Sequence, residues 1–230
     1  MTRKMTTTNE ALFEKLESLL PAGYIQTQRH INRWLATTNT EKNWLKNAKF
    51  EKDEQFNFGG NSKLALIYLD NQIYLIFSEL NPDLPENDFE RQEINSGIFC
   101  ASIFELSIQP LKRNDIGFEI ADNVFIPTPD FVTTGKDYKL ESIEKFFPKM
   151  YLYKIHSKSP FSKLKPILPR VGLFAITKCN ELHSLNWTQT GLEKARIIST
   201  LDIDIFPHEL TVRAIVEKKW EHAFLEIYRS

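Results

Sequence analysis

The segment Lys63–Leu80 reads KLALIYLDNQIYLIFSEL. Two runs rich in β-branched and aromatic residues, Lys63–Leu69 and Ile73–Leu80, flank the polar residues Asp70–Gln72. Polar residues of this kind favour a turn, and two such runs around a short turn predict a β-hairpin. We therefore expect a sheet that contains this hairpin.

The segments before the hairpin carry helical patterns. Thr7–Glu10 has the form of a capping box, and the leucines of Leu12–Leu20 follow at helical spacing. A second helix is predicted over Gln26–Ala36 and a short turn over Glu41–Ala48. We expect residues 1–8 to form a flexible tail ahead of the first helix.

The segments directly after the hairpin are predicted to contain both helices and strands. The apolar residues of Phe89–Ile108 fit a strand or a buried helix, and we favour a helix over Phe89–Phe104. Ile116–Ile126 is predicted to be a second hairpin. Lys139–Phe147 is predicted to be a short helix that ends before Pro148.

The last third of the chain predicts two strands and two helices. Met150–His156 and Val171–Thr177 are apolar runs typical of core strands, and Leu192–Leu201 has a helical pattern. His208–Tyr228 has its apolar residues on one face, which predicts a long C-terminal helix. The complete pattern predicts an α+β fold: a single domain over residues 1–230 with N-terminal helices and a mixed central sheet.

Composition narrows the class of protein. Hydrophobic residues make up 42% of the 230 residues and charged residues 26%, with a net charge of −1, unlike a generally basic nucleic-acid coat protein. Cys100 and Cys179 are too few for a disulfide framework, and no signal-peptide core follows the polar N-terminus. No apolar run reaches the roughly 18–20 residues of a membrane span. We therefore expect a cytoplasmic protein with no membrane partner.

Four kinds of short catalytic motif with fixed residue spacing are absent from the sequence. It contains no phosphate-binding loop, dinucleotide-binding glycine motif, nucleophile elbow or zinc-protease histidine pair. These absences argue against the common nucleotide hydrolases, dinucleotide oxidoreductases, serine hydrolases and zinc proteases. They leave open whether the chain is an enzyme with dispersed catalytic residues.

Charge is distributed unevenly along the chain. Between Glu144 and Glu181 there is no acidic residue and there are eight basic ones, so this basic stretch carries +8 and, because the total is −1, the remainder carries −9. Aromatic residues lie between the lysines, as is typical of surfaces that bind polyanions. The residues predicted to contact nucleic-acid phosphates are Lys154, Lys158, Lys163, Lys165 and Arg170.

The acidic segment Glu79–Glu93 contains six carboxylates and one arginine. Clustered carboxylates supply the oxygen ligands that Mg²⁺ prefers, so Glu79 and Asp83 are candidate metal ligands. Acidic and basic segments in one neutral chain are also typical of a protein-docking surface, because complementary charge steers association.

Glu79–Leu80–Asn81, at the end of the hairpin, resembles the Glu-x-Lys motif in the central hairpin of restriction-endonuclease-like nucleases. In that superfamily an Asp and the Glu bind Mg²⁺, and the Lys positions or activates the attacking water. The resemblance implies Glu79 and Asp70 as catalytic residues. Asn81 stands where the family has lysine, which implies an inactive or rewired relative as readily as an active one.

These observations support two main hypotheses. The first is a nucleic-acid-binding protein, either a Mg²⁺-dependent nuclease of this type or an inactive relative. The alternative is a non-enzymatic interaction protein, such as an immunity protein, an inhibitor or an accessory subunit, that docks a protein partner through its charged faces. A small-molecule enzyme with dispersed residues stays open, although no residue points to it.

Overall fold

The structure is a computed structural model that describes residues 3–22, 34–125, 137–179, 185–203 and 205–228. Its sheet is built around the predicted hairpin. Its strands are β1 (Lys49–Asn57), β2 (Lys63–Leu69), β3 (Gln72–Ser78), β4 (Phe89–Gln92) and β5 (Met150–Ile155), in the order β1-β2-β3-β5-β4. The pairings β2–β3, β3–β5 and β4–β5 are antiparallel, whereas the sequence suggested a mixed sheet.

The hairpin prediction is confirmed, and the turn is as short as a hairpin turn can be. Leu69 pairs with Gln72, so the loop consists of Asp70 and Asn71 alone. Their φ angles are 50° and 60°. Positive φ at both loop positions is typical of a type I′ turn, whose twist matches that of the flanking strands, and Asp and Asn tolerate it better than most residues.

Helices make up the rest of the regular structure. They are α1 (Met5–Glu17), α2 (Asn39–Asn47), α3 (Ser96–Glu105), α4 (Ile116–Ile120), α5 (Leu140–Glu144), α6 (Ile167–Ile176), α7 (Gln189–Ser199), α8 (His208–Val216) and α9 (Trp220–Tyr228). A π-helical turn covers Ala121–Phe125 and a 3₁₀ turn covers Pro160–Ser162. Together with the sheet they confirm the α+β class. No helix in the described ranges is long and apolar enough to cross a membrane.

The chain divides into two compact units. Unit 1 comprises Met1–Phe50 and Glu93–Lys149, and unit 2 comprises Glu51–Gln92 and Met150–Ser230. Unit 2 contains the hairpin and most of the residues that the sequence singles out for function.

In unit 1, α2 and α3 pack closely because of two local features. Thr38 and Glu41 form a capping box at the start of α2: the Thr38 hydroxyl accepts the Glu41 N–H at 3.2 Å, and the Glu41 carboxylate accepts the Thr38 N–H at 2.8 Å. Gly97 lies at the start of α3, where a β-carbon would overlap the carbonyl of Glu41. The segment predicted as a turn at 41–48 is therefore helical.

The N-terminal residues of unit 1 are held in place from Arg3 onward. The Arg3 guanidinium forms an ion pair with Glu105 at 2.7 Å and donates to the carbonyls of Leu45 and Ala48. Helix α1 then begins at Met5, and its N-cap residue Lys4 makes no side-chain cap. The structure thus corrects both the flexible tail over 1–8, as far as residues 3–8 are concerned, and the capping box at Thr7.

Unit 2 buries one face of the sheet against α6. Phe77 and Tyr153 pack edge to face at 5.8 Å on that face, and Phe161 and Phe174 pack in the same manner at 5.3 Å. Gly172 allows α6 to approach the sheet, since a β-carbon there would lie 2.8 Å from the Phe56 ring. Each fully buried side chain of this kind contributes about 1.5–3 kcal/mol relative to an exposed one.

Helix α6 occupies the segment that the sequence predicted as a strand over Val171–Thr177. All of its residues except Pro169 are buried. A helix that is buried on every side lacks the polar stripe from which an amphipathic helix is recognised, so its apolar run looks like that of a core strand. The strand prediction is wrong for this reason.

Two further predictions after the hairpin are corrected. The helix predicted over Phe89–Phe104 is split into β4 and α3, because the Asn95 side chain accepts the N–H groups of Gly97 and Ile98 at 3.0 and 3.1 Å and so starts the helix there. The hairpin predicted over Ile116–Ile126 is α4 followed by the π-helical turn. The other predictions, for a strand at 150–156 and for helices at 139–147 and 192–201, are confirmed to within a few residues.

The predicted long C-terminal helix is two helices. Helix α8 ends where Glu217 adopts an extended backbone, with ψ of 149°, and α9 begins at Trp220. The break brings Ala223 against Ala214, and both are buried. Trp220 packs on Trp187 with ring centroids 5.1 Å apart. The helix predicted over 26–36 lies largely outside the described residues.

Candidate functional site

Glu79 lies directly after β3 and closes the open end of the hairpin. Its φ is 66°, in the left-handed region, and its exposed carboxylate accepts a hydrogen bond from the Ser62 hydroxyl at 2.8 Å. Ser62 precedes β2, whose first residue pairs with Ser78. The carboxylate therefore has a local structural role at the position where the resemblance implies catalysis.

The other implied catalytic residue, Asp70, lies at the opposite end of the same strand. The seven residues of β3 separate it from Glu79, and at about 3.3 Å per residue the two carboxylates are roughly 20 Å or more apart. Asp83 lies in the loop beyond. In the part of the chain that the structure describes, no group of three or more His, Cys, Asp or Glu side chains could hold a metal ion. Asp70 and Glu79 thus form no carboxylate pair.

The acidic segment packs against β5, which belongs to the basic stretch. The Tyr153 hydroxyl donates to the Pro82 carbonyl at 3.0 Å, the Lys178 ammonium donates to the Asp83 carbonyl at 2.8 Å, and the His156 ring lies 3.2 Å from the Glu86 carbonyl. Burial raises the pKa of the Tyr153 hydroxyl, which keeps it a hydrogen-bond donor. The two segments predicted as separate poles are therefore in contact within unit 2.

A cleft of about 410 Å³ lies where these segments meet. It is lined by Asp83, Leu84, Glu86, Phe89, Glu90, Arg91, Tyr153 and His156. Glu90 pairs across the strands with Lys154, and Arg91 lies over the Tyr151 ring at 5.2 Å. Cations from β5 and β4 thus accompany the carboxylates, and the cleft has no single charge sign.

Three of the predicted phosphate contacts lie on one loop, which we call the lysine loop (residues 157–165). Lys158, Lys163 and Lys165 are exposed, whereas Lys154 is half-buried on β5. Phe161, in the middle of the loop, is fully buried and packs on Phe89 at 5.3 Å. The loop is therefore anchored by an aromatic ring while its lysines face solvent.

Arg170, the fifth predicted phosphate contact, is buried inside unit 2 and has no exposed surface. Its guanidinium donates to the carbonyl of Leu201 and, at 3.2 Å, to that of Ile203. His208 is also buried, with its ring 4.9 Å from that of Phe206. Burial and the nearby Arg170 charge lower the pKa of His208. The prediction that Arg170 contacts phosphate is wrong, because its side chain faces the segment that follows α7.

The aromatic residues of the basic stretch are equally inaccessible. Tyr151, Tyr153 and Phe161 are buried in the core of unit 2. Rings in such positions pack the core and cannot stack on nucleic-acid bases. The interleaving of lysines and aromatics therefore reflects strand and loop packing.

Exposed apolar side chains mark a surface that the sequence analysis did not identify. Of the eight large apolar side chains that are exposed in the described residues, six lie between residues 197 and 225. We call the first three the apolar ridge, and the others belong to α9. The apolar ridge is Ile197, Leu201 and Ile205, and the α9 residues are Trp220, Phe224 and Leu225.

A signal for the apolar ridge was present in the sequence. Its three residues are four positions apart, and the segment Leu201–Ile205 alternates apolar residues with Asp202 and Asp204. Ile205 is 94% exposed. Pattern alone could not separate it from a short buried strand, because exposure depends on the packing of the surrounding helices.

Comparison with protein-family models, with curated proteins and with solved structures finds no match to this chain.

Proposed function

We propose that this chain is a non-enzymatic interaction protein that docks a protein partner through the exposed apolar residues of its C-terminal helices. The observation that carries the proposal is the concentration of six large apolar side chains on that part of unit 2. We propose that these side chains share one surface, because contiguous exposed apolar surface on a folded protein commonly marks a protein-binding site. The proposal moves the docking surface from the charged faces to the apolar one.

The energetics fit a binding surface of moderate strength. Burying one apolar side chain contributes about 1.5–3 kcal/mol, and these six are between 43% and 94% exposed, so covering all of them would contribute roughly 5–11 kcal/mol. Association costs about 4–15 kcal/mol in lost translational and rotational freedom. A partner must therefore add polar contacts at the rim to bind stably.

The test is binding of a purified partner to variants of this surface. A protein recovered with the full chain from its source cells would be identified, purified and titrated calorimetrically against the wild type and against Trp220→Ala/Phe224→Ala. We expect one-to-one binding by the wild type and an affinity at least about tenfold lower in the variant. If no purified protein binds stoichiometrically, the proposal is wrong.

Nucleic-acid binding is a second candidate, and the lysine loop is the observation that favours it. Its three exposed lysines could neutralise about three phosphates, so the logarithm of affinity should fall with the logarithm of salt with a slope of about −3. Fluorescence anisotropy with single- and double-stranded oligonucleotides measures this slope. The charge-reversed variant Lys158→Glu/Lys163→Glu/Lys165→Glu should lose the binding, and salt-independent binding would contradict the candidate.

A further inference from the structure

The outer edge of β4 carries main-chain groups that the sheet does not use. β4 is the last strand in the order of the sheet and lies beside β5. The His156 N–H donates to the Asp88 carbonyl at 2.9 Å, directly beyond the paired residues of the two strands. Hydrogen-bonded pairs alternate along an antiparallel ladder. Glu90 therefore bonds to β5, whereas Phe89 and Arg91 direct their main-chain N–H and carbonyl groups outward.

One of these outward groups is used by the protein itself. The Phe89 N–H donates to the Pro85 carbonyl at 3.0 Å, which closes this end of the edge. The main-chain N–H and carbonyl of Arg91 have no hydrogen-bond partner in the part of the chain that the structure describes. Unpaired main-chain groups on an edge strand are a template for the addition of another extended chain.

The cleft of about 410 Å³ lies along this edge. Its lining includes both Glu90 and Arg91, whose side chains point to opposite faces of β4, and Leu84 of the adjoining loop. The cleft therefore borders both faces of the strand. Leu84, Phe89 and Tyr153 are buried and supply its apolar lining. A strand added to this edge would place alternate side chains beside these apolar residues.

The charges along the edge alternate in sign. Glu90 and Arg91 are exposed, and neither forms an ion pair with another described residue. Cross-strand neighbours of opposite charge attract each other, and like charges repel. An added strand with an acidic residue opposite Arg91 and a basic residue opposite Glu90 complements both charges. A strand of uniform charge complements only one of them.

The direction of the added strand follows from the single residue that is available for pairing. In an antiparallel ladder one residue exchanges both of its main-chain hydrogen bonds with one partner residue, whereas in a parallel ladder the two bonds go to different residues. Arg91 offers one N–H and one carbonyl, and the Pro85 contact closes the edge at Phe89. An antiparallel strand uses both groups of Arg91 with one residue.

We propose that the outer edge of β4 and the cleft beside it bind an extended peptide segment of a protein partner, antiparallel to β4, with an acidic residue opposite Arg91 and a basic residue opposite Glu90. The site shares no residue with the exposed apolar residues of the C-terminal helices. It therefore goes beyond the proposed function and does not depend on it.

The experiment titrates the ¹⁵N-labelled full chain with synthetic peptides and follows the amide signals of β4. The first peptide is acetyl-TVEKVT-amide, which in the antiparallel direction places its glutamate opposite Arg91 and its lysine opposite Glu90. The second has the charges in the order lysine–glutamate. Two further peptides are N-methylated, one at the glutamate amide, which faces the Arg91 carbonyl, and one at the lysine amide, which faces away from β4.

We expect saturable shifts of the Arg91 amide signal with the first peptide. N-methylation at the glutamate should lower the affinity about tenfold or more, and at the lysine less than about twofold. Reversal of the charge order should lower it about fivefold. The variant Glu90→Lys/Arg91→Glu should prefer the reversed peptide, and Trp220→Ala/Phe224→Ala should bind the first peptide as the wild type does.

Four outcomes would overturn the inference, and the peptide comparisons need no change to the protein. The first is the absence of saturable β4 shifts at about 10 mM peptide. The second is equal affinity for the two N-methylated peptides, which would exclude main-chain pairing at Arg91. The third is a preference of the wild type for the lysine–glutamate order. The fourth is a shift of the Arg91 signal with protein concentration alone, which would make the occupant a second copy of the chain.

Discussion

The lysine loop and Arg170 are neighbours in the basic stretch, yet they lie in opposite environments. Lys163 and Lys165 are exposed, whereas Arg170, five residues further on, has no exposed surface and donates to two backbone carbonyls. Lys163 and Lys165 follow the 3₁₀ turn at Pro160–Ser162, whereas Arg170 lies on α6, whose residues are all buried except Pro169. The number of basic residues in a stretch of sequence therefore does not give the number of positive charges that are exposed on the surface.

The two functional hypotheses depend on these two different parts of the basic stretch. The nucleic-acid candidate depends on the exposed lysines alone, because Tyr151, Tyr153 and Phe161 of the basic stretch are buried. The buried arginine instead supports the segment that carries the apolar ridge. One stretch of sequence thus serves two structural purposes, and only its second part is tied to the docking surface that we propose.

The sharpest test of this difference is a matched pair of substitutions. Arg170→Met leaves the carbonyls of Leu201 and Ile203 without these donors, so we expect the free energy of unfolding to fall by about 2–4 kcal/mol. Lys163→Met alters only an exposed side chain and should change it by less than about 0.5 kcal/mol. Urea unfolding followed by circular dichroism measures both. Equal stability of the two variants would contradict the comparison.

A smaller effect on the free energy of unfolding is expected from the protonation of His208, which lies beside Arg170. Burial, and secondarily the Arg170 charge, lower its pKa below the usual 6.5, so the folded chain holds it neutral while the unfolded chain takes up a proton as the pH falls. Its contribution to stability is therefore complete above about pH 7 and is lost below about pH 6.5, by at most about 1.4 kcal/mol per pH unit.

Urea midpoints between pH 8 and pH 5.5 measure this dependence. His208→Gln does not titrate in this range and serves as the control, so its stability should fall less than that of the wild type. A wild type that is as stable at pH 5.5 as at pH 7.5 would show that the imidazole is accessible, against the burial that the comparison depends on.

The sequence predicts best those elements whose signal is local. The hairpin follows from two apolar runs around a polar turn, and β5 and α7 follow from clear strand and helix patterns. The boundary between β4 and α3 depends on the side chain of one capping residue, Asn95, which is a local signal that the continuous apolar run obscures. The break between α8 and α9 brings Ala223 into one buried cluster with Ala214, a contact between two helices that no local pattern predicts.

For the candidate site, too, the sequence predicted some features correctly and missed others. The sequence located the exposed lysines, but it implied a carboxylate pair from Asp70 and Glu79, which the length of β3 separates. It assigned Arg170 to phosphate because basic residues are usually exposed. It missed the apolar ridge because the exposure of an isoleucine is determined by what surrounds it.

By itself, the sequence determined the α+β class, the hairpin around the polar residues Asp70–Gln72 and the segments of like charge, because these depend on neighbours along the chain. The tertiary structure alone decided that α6 is a buried helix, that Arg170 lies beneath the segment after α7 and that Ile205 faces solvent. The physical reason is that burial results from contacts between residues far apart in sequence. The same apolar run can therefore become a strand, a core helix or an exposed ridge.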